Sequence, residues 1–526
     1  MKKEWSLAND KAILNFTQRY CTSYDEVLDS PGFRSVLEHF LRRRGTEFSR
    51  IANFLQETLG EGSTDFNREE FIDQLITLLR LLVAMDVELI SSALPQYKDL
   101  SKHSDELLHL IEELYNYWLS LERYSVLFQR DQNTNLSRVS FIDANTEFKD
   151  LILSFYRLIR VNVSGNQPMV FRQTPAGINC GMVCHTILWP IPTGYEALRG
   201  IPFIDTILLE TPFITYPKRN TRQGFFSETQ NNPLDRFTIN SHSFFCFPVF
   251  VGSLLAYVYV HRDFLTHGVS LANLFQFATE EEVAGRRPDM ILVFGGDNGS
   301  DEPEDHYYID DENDIVLGTI SHHIDYDYFG YMKKMMLTLH NVRQLQKGNL
   351  PIHGAMVHII LKGGKQANVV IMGDSGAGKS ESIEAFRSLA DEYISDMTII
   401  FDDMGTFVLP EDDNGDAELK AYGTEIGAFV RLDDLDSGYA FKQLFRSIFM
   451  NPDKTNARLI NPVATYEEIM AGEPVDIFLY ANNYDTVDPA EQSLRFFDNK
   501  DEAIDVFKSG KRMAKGTTQE KGITTS

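Results

Sequence analysis

At 526 residues the chain is too long for a single compact core, and about two or three domains are expected. Its composition, 43% hydrophobic and 24% charged, is that of a folded protein and excludes a wholly disordered chain. The net charge of −27 repels DNA, RNA and anionic lipid, so we expect neither nucleic-acid nor membrane partners. Four cysteines, no apolar leader and no membrane-length apolar run together predict a cytoplasmic protein.

The N-terminal part of the chain has a helical pattern, because apolar side chains recur at every third or fourth position. This spacing places them on one face of a helix. It is found in Glu70–Leu94, in Leu107–Leu121 and in Phe148–Ile159. We therefore predict a helical N-terminal region over residues 1–160, to which we assign no chemistry.

The middle of the chain has a different composition, richer in glycine, proline, threonine and aromatic residues. Short apolar runs typical of strands appear at Ile204–Leu209, Phe244–Phe250 and Leu254–Val260. We predict a mixed α/β domain over residues 161–327. A loop within this domain carries several cations, including Arg219 and Arg222. In so acidic a protein they are candidates for an anion site, although ordinary surface arginines explain them equally well.

The clearest motif is a P-loop, a glycine-rich loop that binds phosphate. It follows the β-rich run Asn368–Met372 and precedes a helical pattern over Glu381–Glu392, which is the strand–loop–helix context that the motif requires. In such loops successive backbone N–H groups point at phosphate oxygens, and the helix N-terminus adds partial positive charge. Lys379 would bridge the terminal phosphates and Ser380 would bind a metal ion. The loop consists of Gly373, Asp374, Ser375, Gly376, Ala377, Gly378, Lys379 and Ser380.

A pair of aspartates follows the next predicted strand. The apolar run Met397–Phe401 ends in Asp402 and Asp403, where a P-loop enzyme places a carboxylate that holds or orders its metal. Aspartates at a strand end can instead cap a turn, but two adjacent buried carboxylates repel each other unless a cation lies between them. We therefore favour a metal role, within an α/β domain of alternating strands and helices over residues 328–526.

The motifs of this last region, taken in order, resemble phosphoenolpyruvate carboxykinase. The sequences YMKK, PIHGAM, GDSGAGKS and IIFDD resemble that family's GEMKK, MHCSAN, GxSGTGKT and GDD motifs. Thr455–Arg458 (TNAR) and Lys515–Thr524 (KGTTQEKGIT) resemble its ENTR and AGTERGIT motifs. The resemblance covers roughly residues 328–526 and implies a carboxykinase-like P-loop domain at the C-terminal end of the α/β chain.

The resemblance also implies roles for individual residues. The implied metal ligands are Lys334, His353 and Asp403 for a catalytic Mn²⁺ ion, and Ser380 for the Mg²⁺ of a nucleotide. The implied catalytic residues are Lys333 and Arg458, which would contact the phosphoryl group or the substrate carboxylate, with Lys379 and Asp402. The candidates for substrate binding are Arg219, Arg222 and Lys521. Lys521 stands where the family has an arginine, and a lysine cannot bind a carboxylate in the two-pronged manner of arginine.

The implied reaction is a metal-dependent decarboxylation of oxaloacetate followed by phosphorylation of the enolate, which yields phosphoenolpyruvate. ATP, GTP and pyrophosphate all remain candidate phosphoryl donors. The chain ends at GITTS, where carboxykinases continue with part of the nucleotide-base pocket. A fragment, a base held differently and a donor without a base are the three interpretations left open.

Two other functions stay open. The sequences GDSGAGKSES and IHGAMV resemble HPr kinase, a structural relative of the carboxykinases, more closely. A kinase for a protein or small molecule is therefore the first alternative. Asp402 or Asp403 would then act as the base toward a hydroxyl group. The second alternative is a nucleotide-sensing regulator without turnover, with the helical region as its interaction module.

Overall fold

The computed structural model describes residues 4–59, 68–129, 138–165, 170, 172–373, 392–409, 418–432, 444–481, 495–509, 511–513 and 523–525. These residues form a mixed α/β protein that divides into two compact units. Unit 1 comprises Met1–His185 with Ile204–Glu210, and unit 2 comprises Thr186–Phe203 with Thr211–Ser526. The finer division into regions 1–160, 161–327 and 328–526 stays a prediction. Among the helices of the described ranges, none is long and apolar enough to cross a membrane.

The helices are numbered in chain order: α1 Tyr24–Asp29, α2 Pro31–Arg44, α3 Ser49–Leu59, α4 Arg68–Ala84, α5 Val87–Ala93, α6 Ser104–Ser120, α7 Arg138–Ser164, α8 Leu265–Ser270, α9 Glu280–Val283, α10 Phe329–Gln346, α11 Tyr466–Ile469 and α12 Lys500–Ser509.

The strands are numbered in the same way: β1 Trp5–Ala8, β2 Lys11–Asn15, β3 Glu122–Phe128, β4 Cys180–His185, β5 Phe203–Leu209, β6 Phe213–Thr215, β7 Ser227–Glu228, β8 Phe244–Val251, β9 Leu254–His261, β10 Gln276–Phe277, β11 Met290–Gly296, β12 Asp305–Asp310, β13 Ile315–Ser321, β14 Leu350–Leu361, β15 Gln366–Met372, β16 Ile394–Val408, β17 Lys420–Gly423, β18 Gly427–Arg431, β19 Ile448–Met450, β20 Arg458–Pro462, β21 Glu473–Pro474, β22 Ile477–Tyr480, β23 Lys511–Met513 and β24 Ile523–Thr525.

Unit 1 combines helices α1–α7 with strands in the order β1-β2-β3-β4-β5. The three predicted amphipathic segments are helical, and their apolar faces form one core with α2 and α3. Besides its helices, the predicted helical N-terminal region of residues 1–160 contains the strands β1, β2 and β3, which were not predicted. Strand β3 lies between two parallel neighbours and is buried along almost its whole length. It therefore lacks the alternation of polar and apolar residues that marks a half-buried strand.

In the described residues of unit 2 the strands form three larger groups and the antiparallel pair β23–β24. The first has the order β8-β9-β11-β13-β12-β7, and within it β9, β11 and β13 run parallel. The second has the order β21-β17-β16-β14-β15-β22, and the third has the order β18-β20-β19-β6. In the described part of residues 328–526 most neighbouring strands are antiparallel, so the predicted alternation of strand and helix is wrong for this part of the chain.

Helix α10 carries the predicted Lys333–Lys334 pair and packs on the first sheet at β11 and β13. Helix α10 can approach β13 closely because Gly318 has no side chain. A Cβ atom at Gly318 would lie 2.8 Å from Cγ of Met335 on the helix. The same helix contacts β14 of the second sheet. The N-terminal turns of α10 are therefore held where strands of the second sheet also supply side chains.

Candidate functional site

Lys333 is the centre of the candidate site. It lies in the second turn of α10 and is only 4% exposed. Its Nζ atom donates to Oδ2 of Asp403 at 2.7 Å and lies 3.0 Å from Oε1 of Glu425. A buried ammonium group is stable only with such partners, because its loss of hydration is otherwise uncompensated. Three ionisable groups from α10, β16 and the segment after β17 therefore meet at one point.

His353 and Asp403 lie on neighbouring antiparallel strands. On β14, Gly354 pairs with Asp403 of β16, which brings the preceding His353 beside the carboxylate. Nε2 of His353 lies 2.8 Å from Oδ1 of Asp403. Just before, β16 carries one extra residue, Ile400, opposite the Met356–Val357 step. Such a bulge re-aims the side chains that follow it and is frequent beside functional sites.

The backbone at Asp403 has a positive φ of 131°. A residue with a side chain adopts such a conformation at a cost of about 1–3 kcal/mol, and it persists where surrounding contacts hold it. Here the two carboxylate oxygens are held by Lys333 and His353 respectively. Strained residues of this kind cluster in active sites and ligand clamps. This conformation therefore favours a functional role for Asp403.

The charges of the site are strongly coupled. Burial raises the pKa of Asp403, but Lys333, the hydrogen bond with His353 and nearby Lys334 outweigh it and hold that pKa well below its usual range. Burial likewise opposes the charge of Lys333, yet Asp403 and Glu425 raise its pKa above the ordinary value. Burial raises the pKa of Glu425 to about 7, since Lys333 compensates only in part and Asp403 repels a second negative charge. Asp403 is thus the ionised carboxylate of the pair near neutral pH.

Glu425 is the member of the site that sequence reasoning missed. It follows β17, which pairs with β16 just beyond Asp403, and the neighbouring Thr424 donates to the carbonyl of Met404. Glu425 is 6% exposed. The signal available in the sequence was a lone acidic residue in AYGTEIGAFV, between two apolar runs. A charge in such a position is costly unless it has a partner, and α10 supplies one in Lys333.

The first residue of the P-loop lies next to His353. The backbone N–H of Gly373 donates to the carbonyl of His353 at 3.2 Å, and Met372 pairs with Gly354. The start of the loop is therefore adjacent to the Lys333–His353–Asp403 group. The other loop residues predicted to bind phosphate, Asp374, Ser375, Gly376, Ala377, Gly378, Lys379 and Ser380, lie outside the described residues, as does Lys521.

Arg458 approaches the same region through an aromatic side chain. The ring of Phe429 on β18 lies 6.0 Å from Nζ of Lys333 and 5.4 Å from the guanidinium carbon of Arg458. Tyr328, at the start of α10, hydrogen-bonds with Arg458. Its hydroxyl is close enough to Lys333 and Arg222 that both cations lower its pKa, although burial leaves that pKa raised. Three cations thus surround one buried phenol.

The two candidate arginines of the middle loop have different surroundings. Arg219 is exposed, and its Nε donates to Oδ1 of Asp325 at 2.9 Å. Arg222 is half-buried near Tyr328 and Tyr331, and burial lowers its pKa. Among the described residues, no carboxylate lies within ion-pair distance of Arg222. Of the two, only Arg222 is close to the Lys333 group and has positive charge to offer a ligand.

Asp403 and His353 provide donors that suit a divalent ion such as Mn²⁺, a carboxylate oxygen and an imidazole nitrogen. Lys334 is near enough to lower the pKa of Asp403, but the lysine that contacts the carboxylate is Lys333. Lys334 is less buried than Lys333. Asp402 is partly buried and precedes Asp403 on β16. The residues predicted as ligands therefore fit a metal ion at Asp403 and His353, with Lys334 beside them.

Comparison with known proteins gives no family model that matches the chain and no curated protein that matches it significantly.

Proposed function

We propose that the chain is a phosphoenolpyruvate carboxykinase-like enzyme, which converts oxaloacetate to phosphoenolpyruvate with a divalent metal and ATP, GTP or pyrophosphate. The observation that carries the proposal is the meeting of Lys333, His353 and Asp403. These residues come from three separate motifs of the carboxykinase-like order, and they meet next to Gly373, the first residue of the P-loop. A carboxylate and an imidazole at the start of the P-loop can supply the metal ligands that phosphoryl transfer uses.

Asp403 and His353 would hold the Mn²⁺ ion in this proposal, together with Lys334. When bound, the ion would supply positive charge that stabilises negative charge on substrate oxygen atoms. Lys333 keeps Asp403 ionised and in place, because its ammonium group is protonated and fixed to Oδ2. Deprotonated and oriented ligands bind a metal ion most strongly.

Arg222 and Arg458 bind the anionic substrate and the transferred phosphoryl group in this proposal. Both lie around Tyr328, and guanidinium groups match carboxylate and phosphate oxygens in a planar, two-pronged manner. Oxaloacetate carries two carboxylates, and a protein with a net charge of −27 must capture such an anion with a local group of cations. Lys379 and the P-loop backbone would bind the donor phosphates, with Mg²⁺ on Ser380.

The test replaces His353 with alanine and measures phosphoenolpyruvate formation as Mn²⁺ is titrated. His353→Ala removes one metal ligand, so we expect the Mn²⁺ concentration for half-maximal activity to rise at least about 10-fold. His358→Ala is the matched control, since His358 lies on the same strand and contacts Asn368 instead. An unchanged Mn²⁺ titration for His353→Ala would reduce this residue to a structural one. Lys379→Ala should abolish turnover while the protein stays folded.

A kinase of the HPr-kinase type is the second candidate, and the pair formed by Asp403 and His353 favours it. A carboxylate beside an imidazole can accept the proton of an attacking hydroxyl group. In this case the acceptor is a protein or small-molecule hydroxyl, and oxaloacetate is not consumed. Transfer of labelled phosphate from ATP or pyrophosphate to a protein, without phosphoenolpyruvate formation, distinguishes this function from the first.

A further inference from the structure

A second group of metal-binding side chains lies away from Lys333, at one edge of the first sheet of unit 2. Strands β9, β11 and β13 are parallel, so their carboxyl ends meet at that edge. His261 is the last residue of β9, and His322 directly follows β13. Asp263 lies two residues after His261, in a short 3-10 helix, Arg262–Phe264. In open parallel sheets this edge is where ligands bind.

The two histidines come from strands on either side of β11, and glycine at the end of β11 lets them meet. Gly295 has a φ of +92°, and a Cβ atom there would lie 2.7 Å from Cβ of His261. The backbone N–H of His322 donates to the carbonyl of Gly296 at 2.8 Å, which fixes its position. The imidazole ring centroids are 4.7 Å apart. A larger residue at position 295 would displace His261.

The donor atoms of the group are spaced as ligands of one ion. Nε2 of His322 lies 3.0 Å from Oδ2 of Asp263, and Nδ1 of His261 lies 3.6 Å from the same oxygen. One donor atom from each of the three residues lies within 4.8 Å of the others. Ligands bound at roughly 2.0–2.1 Å around a tetrahedral or octahedral ion are themselves about 2.8–3.4 Å apart. Nδ1 of His261 also accepts from the backbone N–H of Asp263 at 3.3 Å, and an ion bound through this nitrogen would replace that hydrogen bond.

We propose that His261, Asp263 and His322 bind one divalent first-row transition-metal ion, most readily Zn²⁺. Two imidazole nitrogens and one carboxylate oxygen form the ligand set that such ions take, and three protein ligands leave further positions for water or a substrate. This site uses none of the residues assigned above to Mn²⁺ or to phosphate, and the inference does not depend on the proposed function.

The group of three side chains is buried on the side of the protein interior and exposed to solvent on the other side. His261 and Asp263 have side chains only 17% and 20% exposed, whereas that of His322 is 40% exposed. The ring of Phe264 packs against His322, and that of Phe244 packs against His261. An ion held here would have an apolar wall on the protein side and free coordination positions toward solvent.

The nearby charges have opposite effects on a bound cation. Arg262 lowers the pKa of both His261 and Asp263, so its positive charge opposes a metal ion. Asp297, which follows β11, acts on His322 in the opposite sense and favours one. The carboxylate of Asp263 itself is ionised, because the two histidines and Arg262 outweigh the effect of burial on its pKa. The charge that the ion meets is therefore set mainly by its own ligands.

In the test, the 526-residue protein is freed of metal with a chelator, supplied with Zn²⁺ and dialysed, and the Zn²⁺ that stays bound is measured. The His353→Ala variant is used as the background, so that the proposed Mn²⁺ site does not contribute. We expect one equivalent of Zn²⁺ to remain after dialysis, and Co²⁺ in its place to give the visible absorption of a nitrogen- and oxygen-ligated ion. His322→Ala and Asp263→Asn should each weaken Zn²⁺ binding at least about 10-fold.

His242→Ala is the matched control, since His242 is an exposed histidine outside the group, and it should leave binding unchanged. Thermal unfolding of each variant without metal verifies that it is folded. Less than stoichiometric Zn²⁺ in the background protein, or unchanged affinity in a folded His322→Ala variant, would overturn the proposal. The group would then be a hydrogen-bonded pair formed by His322 and Asp263, with His261 packed beside it.

Discussion

At the scale of single residues, the main feature of the candidate site is a buried lysine in contact with two carboxyl groups. Lys333 is one cation between two carboxylates, and only one of these carboxylates can stay ionised at little cost. Asp403 remains ionised because His353 and Lys334 add to the effect of Lys333. Burial and repulsion by Asp403 outweigh the effects of Lys333 and Lys334 on Glu425, which therefore retains its proton up to about pH 7. The pH dependence of stability reports on this division of charge.

We expect Glu425→Gln to change how stability depends on pH in metal-free protein. The folded protein keeps the proton of Glu425 up to about pH 7, whereas the unfolded chain loses it near 4.5. The unfolded chain therefore binds fewer protons in this window, so the parent loses stability as the pH rises through it. Glutamine cannot ionise, so the variant should gain stability relative to the parent by up to about 3 kcal/mol between pH 4.5 and 7, with no further gain above.

The measurement is the midpoint of thermal unfolding of parent and variant at several pH values in the presence of EDTA. Parallel curves for the two proteins would mean that Glu425 titrates normally and that its burial against Lys333 is wrong.

Arg222 and Arg219 lie in the same loop, so one can serve as the test of substrate binding and the other as its control. We expect Arg222→Ala to raise the KM for oxaloacetate about 10- to 100-fold, because a charge-assisted hydrogen bond is worth about 1.5–3 kcal/mol. Arg219→Ala should leave KM unchanged, since Arg219 is paired with Asp325 at the surface. Steady-state kinetics of the two variants provides the comparison. Equal effects would place the substrate elsewhere, and a larger effect of Arg219→Ala would reverse the assignment.

At the scale of elements, strand β18 links the site to its surroundings. It carries Phe429, whose ring lies between Lys333 and Arg458. The strand begins at Gly427, where a Cβ atom would lie 1.8 Å from the backbone oxygen of Asn273. A backbone carbonyl cannot move aside as the end of a flexible side chain can. The position of β18, and with it that of Phe429, therefore depends on the absence of a side chain at Gly427.

We expect Gly427→Ala to lower the free energy of unfolding by at least about 2 kcal/mol, because overpacking against backbone forces the strand to shift. Gly363→Ala is the control, since a Cβ atom there meets nothing within 4 Å, and its effect should stay within about 0.5 kcal/mol. Chemical denaturation of both variants checks the difference. Equal stability of the two would show that β18 does not approach Asn273 so closely.

The sequence predicted elements well where periodicity was strong and long. The apolar runs at Phe244–Phe250, Leu254–Val260 and Asn368–Met372 are strands, and the three amphipathic segments are helices. The strands of the N-terminal region were missed because they are short or buried on both sides, so their pattern does not alternate.

The candidate site was predicted in part, for a different reason. His353 and Asp403 could be named because their motifs keep a recognisable order, but spacing along the chain cannot show which lysine faces the carboxylate. That choice depends on how α10 rotates against β13, and it brings Lys333 rather than Lys334 to Asp403. Glu425 and Phe429 lie in no recognised motif, so only the folded chain could bring them to the site.

At the scale of the whole molecule, several cations lie close together in a protein whose net charge is −27. Lys333, Arg222 and Arg458 gather near one tyrosine in a protein that otherwise repels anions. Such an arrangement suits a small anionic substrate and opposes binding of long polyanions, because only a small ligand can lie within the local positive field. This contrast is consistent with the proposed small-molecule chemistry.

The most direct test of the proposed function is the formation of phosphoenolpyruvate from oxaloacetate and Mn²⁺, with ATP, GTP and pyrophosphate tried in parallel. We predict product with at least one donor, and its loss in Lys379→Ala and in Asp403→Asn. No product with any donor, from protein that binds Mn²⁺ and is folded, would contradict the carboxykinase-like function, and transfer of labelled phosphate to a hydroxyl acceptor under the same conditions would replace it with the kinase.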